Sequence, residues 1–496
     1  MRIGNGILPP EVLGDVFNNS LPDTPKVFSR KRLIELCLVC KDWRDAAHSD
    51  GRLWSGINLE FTSQTQVFSY RKVLAWLDRS RGRPKRLAVV AAGRTINCAE
   101  TSLCSASNPA LAQFLLQVPA LDHLHLEFRT SRCFKNLCSL MKSLSEGHEL
   151  APRSLDSSSF PVNSLSLKVA YFTHDDRTNP KHIFNSLPGV SALQLNFPAT
   201  NTGRSTAIFL PPIASLFSPS ILQPITNLSI GCNWPFRDIA VLLNSCVNIE
   251  ELAVDLRGFE DGVNLLPRKQ VSLPKVRVLR LRGIIPLSLK SLDFLKLRAI
   301  SEFDVQFGHR GMILQILEIY HTESWEKFLW RHAETLRILR IEDVKVPEEH
   351  LLSMIPTKLP MLEELHLNRV YFNADIFDYW TPTLPSEVEG SMWFPRLKTL
   401  EILHLHPEFD AKKILTFLRT RRSHHEENTR KEEQGVVRGV FRSPPDSMQR
   451  LVLTYERWVS QRMGKIQEYS REILELSAVL RRAGILVNMG PKYVGR

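Results

Sequence analysis

A chain of 496 residues with 43% apolar and 23% charged side chains is long enough for more than one hydrophobic core and too apolar to be disordered. Its net charge of +12 raises nucleic acid or an acidic membrane as partners, a question that only the placement of the charge can answer. The eight cysteines all fall in the first half and make no readable disulfide framework, which favours a reducing compartment. No apolar run reaches the ~18 residues of a membrane span. Met1–Leu8 has one arginine and no apolar core, so it does not read as a signal peptide. Cytoplasm or nucleus is the expected location.

Residues 1–59 read as a compact helical block. Pro9 and Pro10 suit a first helical turn, and Val12, Leu13, Val16 and Phe17 follow at helical spacing. A turn-rich stretch, Asn18–Pro25, separates this helix from a second one expected over Arg30–Ala47. Leu33, Leu36, Cys37, Cys40, Trp43 and Ala47 share one face of that helix, while Ile34 and Leu38 lie on another with Val39 between. So wide an apolar arc exceeds what a block of this size can bury by itself, and something else must cover the remainder. The Cys37-x-x-Cys40 pair lacks the further ligands a metal site needs and reads as buried packing.

Residues 60–118 read as connecting helices with a degenerate first repeat at Leu87/Val89. Beyond them one unit recurs: an apolar residue, two others, an apolar residue, one other, an apolar residue. It begins at Leu121/Leu124/Leu126 and ends at Met448/Leu451/Leu453, in eleven ordered copies. The central residues are Leu124, Leu165, Leu193, Leu228, Leu252, Leu279, Phe303, Leu339, Leu365, Leu400 and Leu451. In five copies a proline stands two residues ahead, at 119, 188, 274, 360 and 395; a proline there ends a helix and sets up an extended segment. Such a repeat predicts a leucine-rich-repeat solenoid over 119–455: one short strand per copy, a curved parallel sheet inside, and helices such as Phe236–Cys246 and Trp325–Glu334 outside. The charged stretch 419–435 reads as an exposed flexible loop. A helix over about Glu456–Arg482, its stripe formed by Ile466, Tyr469, Ile473, Leu476 and Leu480, and a last strand at Ile485–Val487 are expected to cap the array within 456–496.

The N-terminal block resembles an F-box. The matching residues are Leu8-Pro9-Pro10-Glu11-Val12-Leu13, Val16-Phe17, Leu36-Cys37-Leu38-Val39-Cys40-Lys41-Asp42-Trp43-Arg44 and Leu53-Trp54, in that order. The link from Phe17 to Leu33 is longer than usual in the family, and Arg32 stands where an acidic residue is common. The whole resembles F-box proteins with C-terminal leucine-rich repeats, particularly the fungal-type set. The implied fold class is α/β: a small all-helical F-box followed by the solenoid. The resemblance implies a Skp-type adaptor and, through it, a cullin scaffold, with Leu8, Pro9, Val12, Leu13, Val16, Phe17, Val39, Cys40, Trp43, Leu53 and Trp54 forming or supporting the interface. It makes the chain the non-catalytic substrate-recognition subunit of a ubiquitin ligase. A scaffold role without ubiquitylation and a basic nucleic-acid-binding solenoid are the alternatives.

Charge placement argues against nucleic acid. The columns beside the inward apolar pairs carry five bases (Lys168, Arg280, Arg282, Arg340, Arg450) and eight acids (Glu127, Glu251, Asp255, Glu302, Asp304, Glu342, Glu364, Glu401). A nucleic-acid groove would line this expected concave face with Lys and Arg and interleave aromatics. The surplus of base lies instead between Arg71 and Arg86, with seven bases and one acid, and in the last 47 residues. Arg280, Arg282, Arg340, Glu364, His366 and Glu401 are the candidate contacts for a substrate protein whose identity the sequence does not reveal. The histidine pairs His123/His125 and His404/His406 read as exposed surface groups. No phosphate loop, nucleophile elbow or metalloprotease motif occurs, and no catalytic residue, metal ligand or cofactor is expected.

Overall fold

The computed structural model describes residues 8–20, 30–61, 69–91, 108–118, 120–147, 162–172, 184, 189–197, 216–231, 234, 236–256, 267, 269–308, 322–345, 355, 359–380, 394–406, 408–433, 448–456, 465–467 and 469–494. The chain divides into two compact units, one essentially residues 1–249 and the other 250–496. Pro119, Pro188 and most of the turn Asn18–Pro25 lie outside the described residues.

The first unit opens with helix α1 (Pro10–Ser20), which turns Leu13 and Phe17 inward at i, i+4 spacing. At Gly14 the Asp50 carboxylate approaches the helix closely: a Cβ would stand 2.7 Å from it. The single helix expected over Arg30–Ala47 is instead two, α2 (Arg30–Cys37) and α3 (Lys41–Ser49). The break is a capping event: Cys40 is extended (φ −160°), and its Sγ accepts from the Trp43 backbone N–H at 3.4 Å. Cys40 is thereby exposed and Cys37 only half-buried, not the packed pair that an unbroken helix implied. After the break the Trp43 ring lies 5.0 Å from that of Phe17.

A 3-10 turn, Gly51–Trp54, closes the block. Trp54 donates its indole N–H to the Ala47 carbonyl at 2.7 Å, and its ring lies 4.6 Å from that of Trp76 on α4 (Tyr70–Asp78). The block is not all-helical, because its last residues form strand β1 (Gly56–Phe61). The alternating Ile57, Leu59 and Phe61 carried that signal and point inward.

Strands β2 (Arg86–Ala91), β3 (Leu121–Thr130), β4 (Val162–Tyr171), β5 (Ala192–Asn196) and β6 (Asn227–Gly231) extend β1 as a parallel sheet in sequence order. The register places equivalent residues side by side: Ile57, Leu87, Leu124, Leu165, Leu193 and Leu228 form one row. All are buried, as are their partners two residues on. On the covered side an aromatic run (Phe128, Phe134, Phe184, Phe197, Trp234) has neighbouring ring centroids 5.1–5.9 Å apart.

The second unit repeats the plan. Its sheet contains β7 (Glu251–Asp255), β9 (Val278–Ile284), β11 (Glu302–Phe307), β12 (Ile338–Lys345), β13 (Glu364–Tyr371), β14 (Thr399–Leu405), β15 (Arg450–Tyr455) and β17 (Leu486–Met489), all parallel. Leu252, Leu279, Phe303, Leu339, Leu365, Leu400, Leu451 and Val487 form the buried row. Two small sheets flank it, β8 (Val271–Leu273) with β10 (Leu295–Leu297), and β16 (Lys465–Gln467) antiparallel to β18 (Lys492–Val494). The terminal strands β1 and β17 each pair on one side only, so neither unit's sheet closes. The helix Thr322–Arg331 covers the leucine side, with Trp325 and Phe328 rings 5.3 and 4.8 Å from Phe303.

Four strands of this unit share a backbone device. Gly283, Asp343, Arg369 and His404, each four residues after the inward residue of its row, have φ between +52° and +63°. The left-handed residue shifts the in–out alternation by one, so Ile284, Val344, Val370 and Leu405 point into the core. Three of the four are not glycine, a conformation that costs about 1 kcal/mol or more each.

Two further expectations are corrected here. The stretch 419–433 is no loop but the second half of a helix, Ala411–Glu433. Its first turns bury Ile414, Leu415, Phe417 and Leu418; the Arg-, Lys- and Glu-rich sequence that follows has high helix propensity, and an Arg422–Glu426 pair at 3.1 Å adds to it. The C-terminal helix is shorter than expected, Arg471–Arg482, started by Ser470, which accepts from the Ile473 N–H at 3.4 Å, and ended at Gly484 with φ +85°. Ile466 and Tyr469 precede it.

Candidate functional site

The resemblance-derived residues of the N-terminal block separate into two sets. Leu13, Phe17, Leu53 and Trp54 are buried and hold the block together, so they can only support an interface. Leu8, Pro9, Val12, Val16, Val39 and Cys40 are exposed, and Trp43 is half-buried against Phe17. The exposed set gains two members that the resemblance did not assign to the interface. Helix α2 turns Leu33 and Leu36 inward, which leaves Ile34 and Leu38, at i, i+4, on its outer side. Leu38 is 78% and Val39 59% exposed; Leu8, Val12, Val16 and Ile34 lie between 41% and 50%. Six large aliphatic side chains in solvent on so small a block mark an interaction surface. The off-face position of Ile34 and Leu38 was already legible in the helical spacing, although the interface implied by the resemblance included neither.

A second candidate is the open face of the second unit's sheet. Glu251 accepts from Arg280 at 3.1 Å, and Arg280 reaches Glu302 at 3.5 Å. Arg340 donates to Glu302 at 2.6 Å and approaches Glu364 at 3.9 Å. His366 sits between Glu364 (3.0 Å) and Glu401 (2.9 Å), and Arg450 pairs with Glu401 at 3.2 Å. These groups make one continuous ladder of alternating acidic and basic side chains across the strands. Of the six sequence-derived contacts, Arg280, Arg340, Glu364, His366 and Glu401 belong to it.

Arg282 stands in a second row, bidentate to Asp304 at 2.6 Å for both bonds. That hydrogen-bonded carboxylate raises the guanidinium pKa further above its ordinary value. The same row continues with Gln306 donating to Asp343 at 2.8 Å, Arg369 donating to Asp343 at 3.1 Å, and His404 against Asn368 at 2.9 Å. Each of these arginines is matched by a carboxylate, so the basic charge of the face is compensated within it.

The first unit's open face is more neutral. His125 is buried and paired with Ser166 at 2.9 Å, and the half-buried His123 with Ser164 at 3.1 Å. Both are packed side chains instead of the exposed pair expected, and burial, with His125 and Arg86 nearby, lowers the His123 pKa. Lys168 pairs with Glu127. Among the described residues no group of three His, Cys, Asp or Glu could hold a metal ion, and no helix is long and apolar enough to cross a membrane.

Residues 6–60 match the family model described as F-box-like. The match spans α1 to β1 and coincides with the exposed aliphatic surface. No curated protein matches the chain.

Proposed function

We propose that the chain is the substrate-recruiting subunit of a Skp–cullin–F-box ubiquitin ligase. The observation that carries this reading is the aliphatic surface of Leu8, Val12, Val16, Ile34, Leu38 and Val39 on an F-box-like domain. A Skp-type adaptor would cover that surface and connect the chain to a cullin. The two in-register parallel sheets support reading the remainder as leucine-rich repeats, with a substrate protein held on the open face and oriented toward a recruited conjugating enzyme. On this reading the chain performs no chemistry itself. The charge ladder disfavours the nucleic-acid alternative, since its arginines are already matched by carboxylates.

The test is co-purification with a Skp-type adaptor. Val16→Asp with Leu38→Asp should reduce binding by at least about 100-fold, since each change buries a charge in the contact, while circular dichroism stays unchanged because both side chains are solvent-exposed. Adaptor binding at full strength by that variant would refute the reading.

A further inference from the structure

The arginines of the second unit's open face are paired; those of one turn in the first unit are not. Residues 71–86 carry seven bases against the single acid Asp78. Arg79, Arg81 and Arg83 are exposed on the turn that follows α4, and among the described residues no carboxylate makes an ion pair with any of them. Among the described residues Arg44 on α3 ion-pairs only with its neighbour Asp45, at 3.9 Å.

This turn is fixed to the N-terminal block. A Cβ on Gly51 would stand 2.4 Å from the Ser80 carbonyl oxygen, so the two backbones touch. Arg79 lies over the Trp54 ring at 4.7 Å, and Arg81 donates to the Ser49 carbonyl at 3.3 Å. Arg81 and Gly82 are both left-handed, at φ +51° and +78°, which makes the turn tight. Arg79 and Arg44 also stand near the end of α2. After burial, they are the next influences lowering the His48 pKa, and they oppose the burial that raises the Cys37 thiol. Cys37 immediately precedes Leu38 and Val39, the most exposed aliphatic residues of the block.

We propose that the turn Arg79–Arg83, together with Arg44, is an electrostatic docking edge that receives an acidic segment of the same protein that covers Leu38 and Val39. The proposal rests on the reading that this aliphatic surface binds an adaptor. Like charges concentrated on one tight turn repel one another, and an acidic partner relieves that repulsion while steering the encounter. A protein is favoured over a nucleic acid because the cations adjoin an aliphatic surface, while Trp54 and Trp76, which could stack on bases, are buried.

The full chain is tested against a purified Skp-type adaptor by stopped-flow association at about 50 mM and about 500 mM salt. Three proteins are compared: the unaltered chain, Arg81→Glu with Arg83→Glu, and Leu38→Asp. Arg79 is left in place because it packs on Trp54. The charge-reversed chain should associate about tenfold more slowly at low salt and nearly normally at high salt. Leu38→Asp should weaken binding at both. A charge-reversed chain with unaltered rates at low salt, beside a defective Leu38→Asp, overturns the docking edge and leaves the adaptor reading standing. No adaptor binding by the unaltered chain overturns both. A labelled single strand of about 20 nucleotides that binds the unaltered chain at about 150 mM salt, and not the charge-reversed one, would assign the turn to nucleic acid and also overturn the proposal.

Discussion

The arginines of this protein divide by what they face. Arg282 is held bidentate by Asp304, whose side chain is only 8% exposed; removing the guanidinium leaves a carboxylate in a place water scarcely reaches. Arg282→Ala should therefore lower the stability of the second unit by about 2–4 kcal/mol in a denaturant titration. Arg450, half-exposed at the end of the ladder, should tolerate the same change at a cost of about 0.5 kcal/mol or less. Equal losses would mean that burial of the partner carboxylate does not set the cost. The contrast also limits how the open face can be probed. Charge reversal at Arg282 disturbs the fold before it disturbs a partner, whereas Glu251 and Arg450, at the ladder's two ends, report on the partner alone. Cys40 shows a different residue-level point: its thiol caps α3, a role the sequence pattern could not distinguish from packing because the cap exists only once the helix breaks.

At the level of elements, each strand is specified by two inward residues, and the four left-handed positions then decide how it ends. The helices are specified less by pattern than by what they cover. His332, directly after the helix Thr322–Arg331, is buried against the Phe328 ring at 4.7 Å, and its Nε2 has no hydrogen-bond partner among the described residues. Burial, and secondarily Arg331, pushes its pKa down from 6.5 to about 4. A histidine whose folded pKa lies below its unfolded value binds fewer protons folded than unfolded. Its contribution is complete above pH 6.5 and is lost as pH falls from there to about 4, amounting to roughly 3 kcal/mol at most. Thermal unfolding monitored between pH 7 and pH 4 should show this loss, and His332→Phe should flatten it. An unchanged pH profile in the variant would exclude His332 as its source.

For the whole molecule, the N-terminal block and the sheet of the first unit are one structure. Trp54 packs on Trp76, the Trp76 indole donates to the Gly56 carbonyl at 3.1 Å, and β1 pairs with β2 along its full length. Deleting residues 1–56 should therefore expose Trp76 and strip the start of β1, giving a chain that aggregates or unfolds at lower temperature than the full one. Intact solubility and an unaltered melting curve would show the block to be an independent module. Point changes at Leu38 and Val39 separate partner binding from folding in a way that the deletion cannot. The net charge belongs to this scale as well. It is compensated on the second unit's open face and uncompensated at the turn Arg79–Arg83, so the value +12 by itself said little about which surface is basic.

The amino-acid sequence by itself determined the strands. Eleven apolar triplets became parallel strands, in register within each unit, because an inward pair two residues apart has one favourable side and equivalent residues pack best on one another. It also placed the surplus aliphatic surface on residues 8–39, since a short helix pair cannot bury two faces. Only the tertiary structure decided which motif residues lie inside and which outside, because Leu13, Phe17, Leu53 and Trp54 differ from Val12, Val16 and Val39 in what packs against them and not in chemistry. It decided that 419–433 is helical, since a charged segment joined to an anchored helix continues it where an isolated one would fray. And it decided that each arginine of the open face meets a carboxylate, since pairing across strands joins residues as far apart in the chain as Glu401 and Arg450, a relation that no local pattern expresses.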